Sequence, residues 1–319
     1  MDTHLPPLFL ERLKDLTEKA QRSYGEVLNA LCASRTISIR VNTLLSTKES
    51  IYQELERLNI KLVTVPWHQN AFILENTSIA DVTELQLYNE GKIYIQSLSS
   101  MIPALVLSPK SEEKVLDIAA APGSKTSQIA ALMENKGEIV ANDISQNRIY
   151  KLISILKMSG VENVKIMNIP GELIWKKYPE YFDKVLVDVP CSMEGRFRCD
   201  DAASYEDWST GKIKKLAKIQ KWILRSAVSA AKPGGTIVYS TCTLAPEENE
   251  EVIDWLLEKE KGKVVTEDVV IQGFTFDQSL SSWKNAVFSS QVAKTKRIFP
   301  QKNMEGFYIA KLKKVSSTL

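Results

Sequence analysis

Leu8, Phe9, Leu10, Leu13 and Leu16, followed by Val27, Leu28 and Leu31, recur at helical spacing and predict helix over residues 8–33. Thr36–Thr43 (TISIRVNT) alternates apolar and polar positions as a half-buried strand does. Lys48–Leu58 returns to helical spacing, and Lys61–Val65 is extended ahead of Pro66 and Trp67. This α/β stretch ends near Asn89-Glu90-Gly91 with no low-complexity linker, so the next unit should pack directly against it.

From Lys114 onward the pattern changes. Short apolar runs at Val115–Ala119, Glu138–Asn142, Val164–Met167, Lys184–Val187 and Thr236–Ser240 alternate with helical stretches. Those stretches are Lys125–Met133, Gln146–Met158, Lys212–Ala231 and Pro246–Lys259. Buried parallel strands joined by crossover helices produce this alternation, and right-handed crossovers give a doubly wound α/β sheet. A length of 319 residues suits two domains, divided here as 1–90 and 91–319.

Composition narrows the possibilities. Hydrophobic residues make up 44% and charged residues 25%, as in ordinary globular proteins. No run reaches the roughly 18 apolar residues of a membrane span, and Met1–Pro7 lacks the basic-then-apolar order of a signal peptide. The four cysteines, Cys32, Cys191, Cys199 and Cys242, form no CxxC pair, and a chain of this length needs no disulfide staples. Reduced thiols and a cytoplasmic location are expected. With only His4 and His68, a zinc or non-haem iron site is not expected. The net charge of +2 says little, but its distribution says more. Seven Lys/Arg residues and one acid, Glu305, lie between Val292 and Lys314, and Lys212, Lys214, Lys215, Lys218 and Lys221 share one predicted helix. Isolated clusters of this kind are usually solvated faces. Two of them flanking one candidate site suggest a phosphate-tracking surface.

The first apolar run ends in Leu116-Asp117-Ile118-Ala119-Ala120-Ala121-Pro122-Gly123-Ser124-Lys125-Thr126, a strand entering a turn of small residues before a helix. Ligands of doubly wound sheets sit beside such turns, at the carboxyl ends of the strands. The next strand ends in Asn142-Asp143, where an acid would accept hydrogen bonds from ribose hydroxyls. A phosphate-binding P-loop would need a glycine where Ile118 stands, and a nicotinamide fingerprint would need more than the single Gly123. Two cysteines close the ends of the fourth and fifth runs, in Asp188-Val189-Pro190-Cys191-Ser192 and Ser240-Thr241-Cys242-Thr243. A lone buried cysteine is normally inert packing, the reading kept for Cys32 and Cys199. Two at adjacent strand ends facing one crevice point to covalent thiol chemistry, with Cys242 favoured by a helix predicted to start near Pro246. Glu247, Glu248 and Glu250 oppose a thiolate there, and Lys125 across the crevice is a candidate for electrostatic support.

Taken together, these motifs resemble the RsmB/Nop/Sun family of RNA cytosine-C5 methyltransferases, most of all its bacterial RsmF-type rRNA members. The resemblance spans Arg35 to Lys311. It includes Ile39-Arg40-Val41-Asn42-Thr43, Gln96–Leu107, the Leu116–Thr126 loop, Asp143-Ile144-Ser145, Asp188–Ser192, Pro233–Glu250, and Arg297–Leu312 with Glu305-Gly306-Phe307. It implies a Rossmann-like class I methyltransferase sheet over residues 91–319 and a small N-terminal α/β (RRM-like) RNA-contacting domain over 1–90. It implies S-adenosyl-L-methionine as cofactor and RNA as partner, rRNA ahead of tRNA, for a monomer that uses neither metal nor membrane. The product would be 5-methylcytosine. By the same resemblance Cys242 is the nucleophile, adding to carbon 6 of the cytosine to make carbon 5 nucleophilic, and Cys191 assists breakdown of the adduct. Asp188 contacts the cytosine ring, and Lys125 lies between substrate and cofactor. The backbone of Ala120, Ala121, Pro122, Gly123, Ser124 and Lys125 holds the methionine end, and Asp143 binds the ribose, with Arg148 and Asp188 counted in the same cofactor site.

Two positions depart from the family pattern. Pro170, in Asn168-Ile169-Pro170-Gly171, stands where an acid near the adenine is usual, and Gln301 stands where histidine is usual. Many relatives also continue into a further RNA-binding domain beyond the point matching Lys314. Three rivals fit less well. A DNA cytosine methyltransferase would attack from the Pro190-Cys191 motif and needs a later Glu-Asn-Val, which is absent. An amino-group methyltransferase prefers a Pro-Pro-aromatic loop and has no use for Cys242. An RNA-binding assembly factor without activity would have no reason to keep Cys242, Cys191, Asp188 and Lys125.

Overall fold

A computed structural model describes residues 4–319. The chain begins with two helices, α1 (Pro7–Lys19) and α2 (Tyr24–Cys32), where the apolar spacing alone predicts one. Between them the backbone turns left-handed at Gln21 (φ 54°). The Ser23 side chain then restarts the helix by accepting a hydrogen bond from the Glu26 N–H. The small domain follows with β1 (Ile37–Val41), α3 (Lys48–Arg57), β2 (Lys61–Thr64), β3 (Ala71–Glu75), α4 (Ile79–Glu84), α5 (Gln86–Asn89) and β4 (Ile93–Ile95). Its strands form an antiparallel sheet in the order β2-β3-β1-β4, and the last of them lies beyond residue 90.

Each strand of this sheet has two faces. Ile39, Val41, Phe72, Leu74 and Ile93 pack with Ile51 and Leu55 of α3. On the opposite face Ala71 and Ile73 join the core of the large domain, with Leu98, Met101 and Ile102. An RRM presents that face to nucleotides; here the protein's own second domain covers it. Arg40 of the same face is buried. Its guanidinium donates to Gln96 Oε1 (3.0 Å) and Ser127 Oγ (2.9 Å), and burial lowers its pKa to about 10.

The large domain runs through α6 (Leu98–Leu107), β5 (Lys114–Asp117), α7 (Ser124–Leu132), β6 (Glu138–Asn142), α8 (Gln146–Met158), β7 (Val164–Met167), α9 (Ile174–Lys177) and β8 (Phe182–Asp188). It continues through α10 (Thr210–Ala230), β9 (Ala231–Thr241), α11 (Glu250–Glu260), β10 (Val264–Glu267), β11 (Asp277–Gln278), the hairpin β12 (Ser282–Trp283) and β13 (Ala286–Val287), β14 (Lys296–Ile298) and β15 (Phe307–Lys314). The nine-stranded sheet has the order β11-β14-β15-β9-β8-β5-β6-β7, with β10 also on β15. Strands β5 to β9 are mutually parallel, and β15 inserts antiparallel beside β9. The order reverses at β5, which has β6 on one side and β8 on the other. A crevice therefore opens at the carboxyl ends of these strands. Alternate strand residues face opposite layers. Leu116, Val185 and Ile237 meet α10 and α11, whereas Val115, Leu186 and Val238 meet α6 and α7.

The two N-terminal helices belong to the α10–α11 layer. Phe9, Leu13, Leu16, Val27 and Leu31 share its core, and Phe9 stacks on Phe197 with ring centroids 4.8 Å apart. Cys32, closing α2, is joined by a disulfide to Cys199, 167 residues away, with Cα atoms 4.8 Å apart. This corrects the expectation of four reduced thiols. A pairing across so long a separation leaves no local spacing to read. A bond closing so long a loop restricts the unfolded chain and typically contributes about 2–4 kcal/mol. Cys199→Ser should lower unfolding stability in urea by that amount under non-reducing conditions. Reductant should lower the wild type similarly and leave the variant unchanged; a wild-type midpoint indifferent to reductant would refute the brace.

Candidate active site

The turn from β5 into α7 forms one wall of the crevice. Gly123 caps α7 at φ +114°, and a Cβ there would lie 3.0 Å from Leu152 Cδ1 of α8. The glycine is therefore demanded by backbone conformation and by packing on α8, as well as by any ligand in front of it. Asp143, just after β6, is buried. Its Oδ2 accepts from the Ala121 N–H (3.2 Å) and pairs with Arg148 (3.1 Å), and its Oδ1 accepts from the Ser145 N–H (2.9 Å). Arg148 also donates to the Ala121 carbonyl. Ala120 through Lys125, Asp143 and Arg148 thus form one connected rim. Beyond it, Ile144 is 65% exposed. The Asn142 side chain ties the β7 exit to the rim, donating to Ile118 and Ile169 carbonyls (both 3.0 Å). Asp117 is buried, and only one of its oxygens has a partner, Thr126 Oγ1 at 2.7 Å; Oδ1 has none. Burial pushes the Asp117 carboxyl up to about 7.

The opposite wall carries the thiols. Cys191 Sγ and Cys242 Sγ, beyond the ends of β8 and β9, are 3.3 Å apart. The hydrogen bond to Cys242, followed by burial and charge, pushes the Cys191 thiol well above its ordinary range. Asp188 and Lys125 form the second predicted pair, with Oδ2 and Nζ 2.7 Å apart. Ser240 Oγ donates to Asp188 Oδ1 (2.7 Å), and Lys125 donates to Ser100 Oγ (2.8 Å). The four predicted catalytic residues thus stand at the carboxyl ends of β5, β8 and β9, with Lys125 bridging from the β5–α7 turn to β8.

The three glutamates that the sequence sets against a Cys242 thiolate are each engaged elsewhere. Glu247 takes a two-pronged ion pair from Arg12 of α1 (3.0 and 2.8 Å). Glu250 is buried against Arg297. Glu248 accepts from the Ser192 N–H (3.0 Å), from Ser192 Oγ and from Gln220 Nε2 (2.7 Å). The helix predicted from Pro246 also starts later: Pro246–Glu248 is a 3-10 turn and α11 opens at Glu250. That extra turn moves the helix dipole away from Cys242. Arg297, expected to track phosphates with Lys294 and Lys296, is fully buried in its pair with Glu250 and donates to the Leu244 carbonyl (2.8 Å). Charge count alone could not separate a buried ion pair from a surface cation.

Sequence reasoning gave no role to several residues that converge on the Cys191 loop. Glu194, buried, accepts from Trp208 Nε1 (2.9 Å). The Gly195 N–H donates to the Cys242 carbonyl (3.0 Å), and the Gly306 N–H to the Gly195 carbonyl (2.9 Å). Glu305 pairs with Arg35 (2.5 Å) and Arg196 (3.3 Å). Only the Glu305-Gly306-Phe307 motif signalled this convergence.

Comparison with known proteins identifies the family. The family model for 16S rRNA methyltransferase RsmB/F matches residues 104–313, and that for the N-terminal domain of 16S rRNA methyltransferase RsmF matches residues 5–98. The chain belongs to the RsmB/F methyltransferase family. A tRNA (cytosine(49)-C(5))-methyltransferase of Pyrococcus abyssi is 41% identical over 87% of this chain and 88% of its own length. Ribosomal RNA small subunit methyltransferase F of Pectobacterium carotovorum is 36% identical over 98% of this chain but only 63% of its own length, so the chain spans less than two thirds of that relative. A methyltransferase homolog protein from Pyrococcus horikoshii superposes with a TM-score of 0.81 at 32% identity, covering 97% of this chain and 100% of that one. The structure of NSun6 from the same organism with SFG gives 0.82 at 25% identity, covering 97% and 98%. The Rossmann-like methyltransferase sheet joined to a small N-terminal domain is thus the shared fold. Among the described residues, no helix is long and apolar enough to cross a membrane.

Glu248 makes this architecture sensitive to pH. Burial pushes its carboxyl from 4.5 up to about 7. Between those values the folded state binds a proton that the unfolded chain has lost, so stability falls as pH rises through about 7. Asp117 adds a contribution of the same sign. Urea unfolding should show the wild type losing stability from about pH 5 to about pH 8. Glu248→Gln should reduce that loss by on the order of 1–3 kcal/mol. A variant with the wild-type pH slope would refute the assignment.

Proposed function

We propose that this chain transfers a methyl group from S-adenosyl-L-methionine to carbon 5 of a cytosine in RNA through a covalent adduct on Cys242. The reading rests above all on the 3.3 Å contact between Cys191 and Cys242 across from the cofactor rim. The residues present fit the cofactor. The β5–α7 turn, Asp143 and Arg148 offer backbone groups and charge, Asp117 is buried with Oδ1 unpartnered among the described residues, and Ile144 is an exposed apolar side chain just after Asp143. Ala120–Lys125, Asp143 and Arg148 would hold it, and when bound it supplies the electrophilic methyl.

The residues' own part begins at the thiols. The hydrogen bond to Cys242, with burial, raises the Cys191 thiol, so Cys191 keeps its proton while Cys242 makes the attack. Addition of that sulfur to carbon 6 moves the ring electrons to carbon 5, where the methyl is accepted. Asp188, held by Lys125 and Ser240, borders the base. Once Cys242 is bonded to carbon, its hydrogen bond to Cys191, the largest cause of the raised thiol, is lost. Cys191 then releases its own proton to solvent more readily, and its thiolate takes the carbon-5 proton. The carbon–sulfur bond breaks, the 5,6 double bond re-forms and Cys242 leaves as thiolate.

The match to the RsmF N-terminal domain makes rRNA the first substrate to test, and the Pyrococcus abyssi relative makes tRNA the second. Pro170 offers no carboxylate to an adenine amino group, and one such charged hydrogen bond is worth about 1.5–3 kcal/mol. Pro170→Asp should therefore tighten cofactor binding in calorimetric titration; equal or weaker binding would remove that assignment. The roles of the thiols are tested on a denaturing gel. Cys191→Ser should attack, methylate and then accumulate a protein–RNA complex that ribonuclease removes. Cys242→Ala and the double variant should form none. Trapping by the Cys242 variant would reverse the roles, and trapping by neither would leave Cys191 as packing.

A further inference from the structure

Two hollows flank the segment 300–305 between β14 and β15, and both are lined by Gln301, Lys302, Asn303 and Met304. The first is small and polar. It reaches Gly195 and Phe197 of the Cys191 loop and is bordered by Arg35 and Glu305. The second, about 450 Å³ and largely apolar, lies between the two domains, where Pro66, Trp67, Ile73, Leu98 and Phe274 line it. The shared segment 301–304 thus marks a path from a hollow at the Cys191 loop to an aromatic recess.

The path is cationic. Arg35 and Arg196 are both drawn to Glu305, and Arg35 also donates to the Arg196 carbonyl (2.5 Å). Lys302 is exposed and makes no ion pair among the described residues. With the nearby Asp200 paired to Arg198 and Glu75 paired to Lys61, these three cations against Glu305 leave a positive surplus suited to backbone phosphates. At the far end Trp67 and Phe274, both half-buried, meet edge to face at 5.2 Å. Aromatic side chains of this kind stack unpaired bases without needing a particular sequence. The RRM-like sheet face cannot serve, because the large domain covers it.

We propose that the Trp67–Phe274 recess takes the unpaired base of a nucleotide flanking the target cytosine, with its phosphates passing Lys302, Arg35 and Arg196. The proposal rests on the reading that an RNA cytosine docks at Cys242. Its test uses the full chain and single-stranded RNA oligonucleotides containing one cytosine, with 2-aminopurine placed at successive flanking positions. One position should be quenched on binding. Trp67→Ala should abolish that quenching and weaken RNA binding about 5- to 150-fold. It should raise KM and keep kcat, with cofactor affinity unchanged, and Trp67→Phe should retain most of the effect. No quenching at any position, or wild-type RNA affinity in Trp67→Ala, would overturn the proposal. Should Trp67→Ala lose cofactor binding, exposed Lys302→Ala replaces it. A salt slope shallower by about 0.7–0.9 is then expected, and an unchanged slope overturns the path. Quenching without methyl transfer to any RNA would sink the function above and keep this site; methyl transfer without quenching would sink this site alone.

Discussion

A carboxylate taken out of water must be surrounded by donors or remain protonated, and Glu248 meets that constraint by gathering the active site around itself. It accepts from the backbone and hydroxyl of Ser192, the residue after Cys191, and from Gln220 of α10. Its own carbonyl accepts from Tyr239 Oη of β9 (2.6 Å). The loop leaving β8 is thereby fastened to the turn leaving β9, which is the geometric condition for the two sulfurs to touch. The strands supply only the general neighbourhood; this buried acid sets the register of the two loops.

A second set of contacts closes the loop from the other side. A Cβ on Gly195 would lie 2.2 Å from the Gly306 carbonyl oxygen, so the two backbones meet where no side chain fits. The Cys191 loop is then braced on its outer surface by Phe9 and by the Cys32–Cys199 bond. Parts of the chain that lie far apart in sequence thus converge on about ten residues. The N-terminal helices are structural supports of the Cys191 loop.

Legibility in the sequence followed the range of the forces involved. Strands β6 and β7 and helix α8 were readable to the residue, because a buried strand and an amphipathic helix write their periodicity locally. The nearness of Cys191 to Cys242 and of Asp188 to Lys125 was readable because three of them stand at strand ends and Lys125 opens the helix after β5. Arg297 was misread as a surface cation because its partner, Glu250, is 47 residues away. The Cys32–Cys199 bond and the covering of the RRM-like sheet face were hidden for the same reason: each is a property of two distant segments, and neither segment alone carries its mark. The start of α11 was placed too early because Pro246, a good first helical residue, opens a 3-10 turn instead.

The backbone bond between Gly195 and Gly306 also sets an order of events during synthesis. A chain leaving the ribosome at about 5–20 residues per second presents its N-terminal portions first. Cys191, Cys242 and the β5–α7 turn are all synthesised by residue 242, yet the clasp on the Cys191 loop waits for Glu305 and Gly306, and the sheet next to β9 waits for β15. Until then β9 is an open edge and the thiol-bearing loop has no outer support. The nascent chain thus carries both sulfurs well before their loops can be held in place.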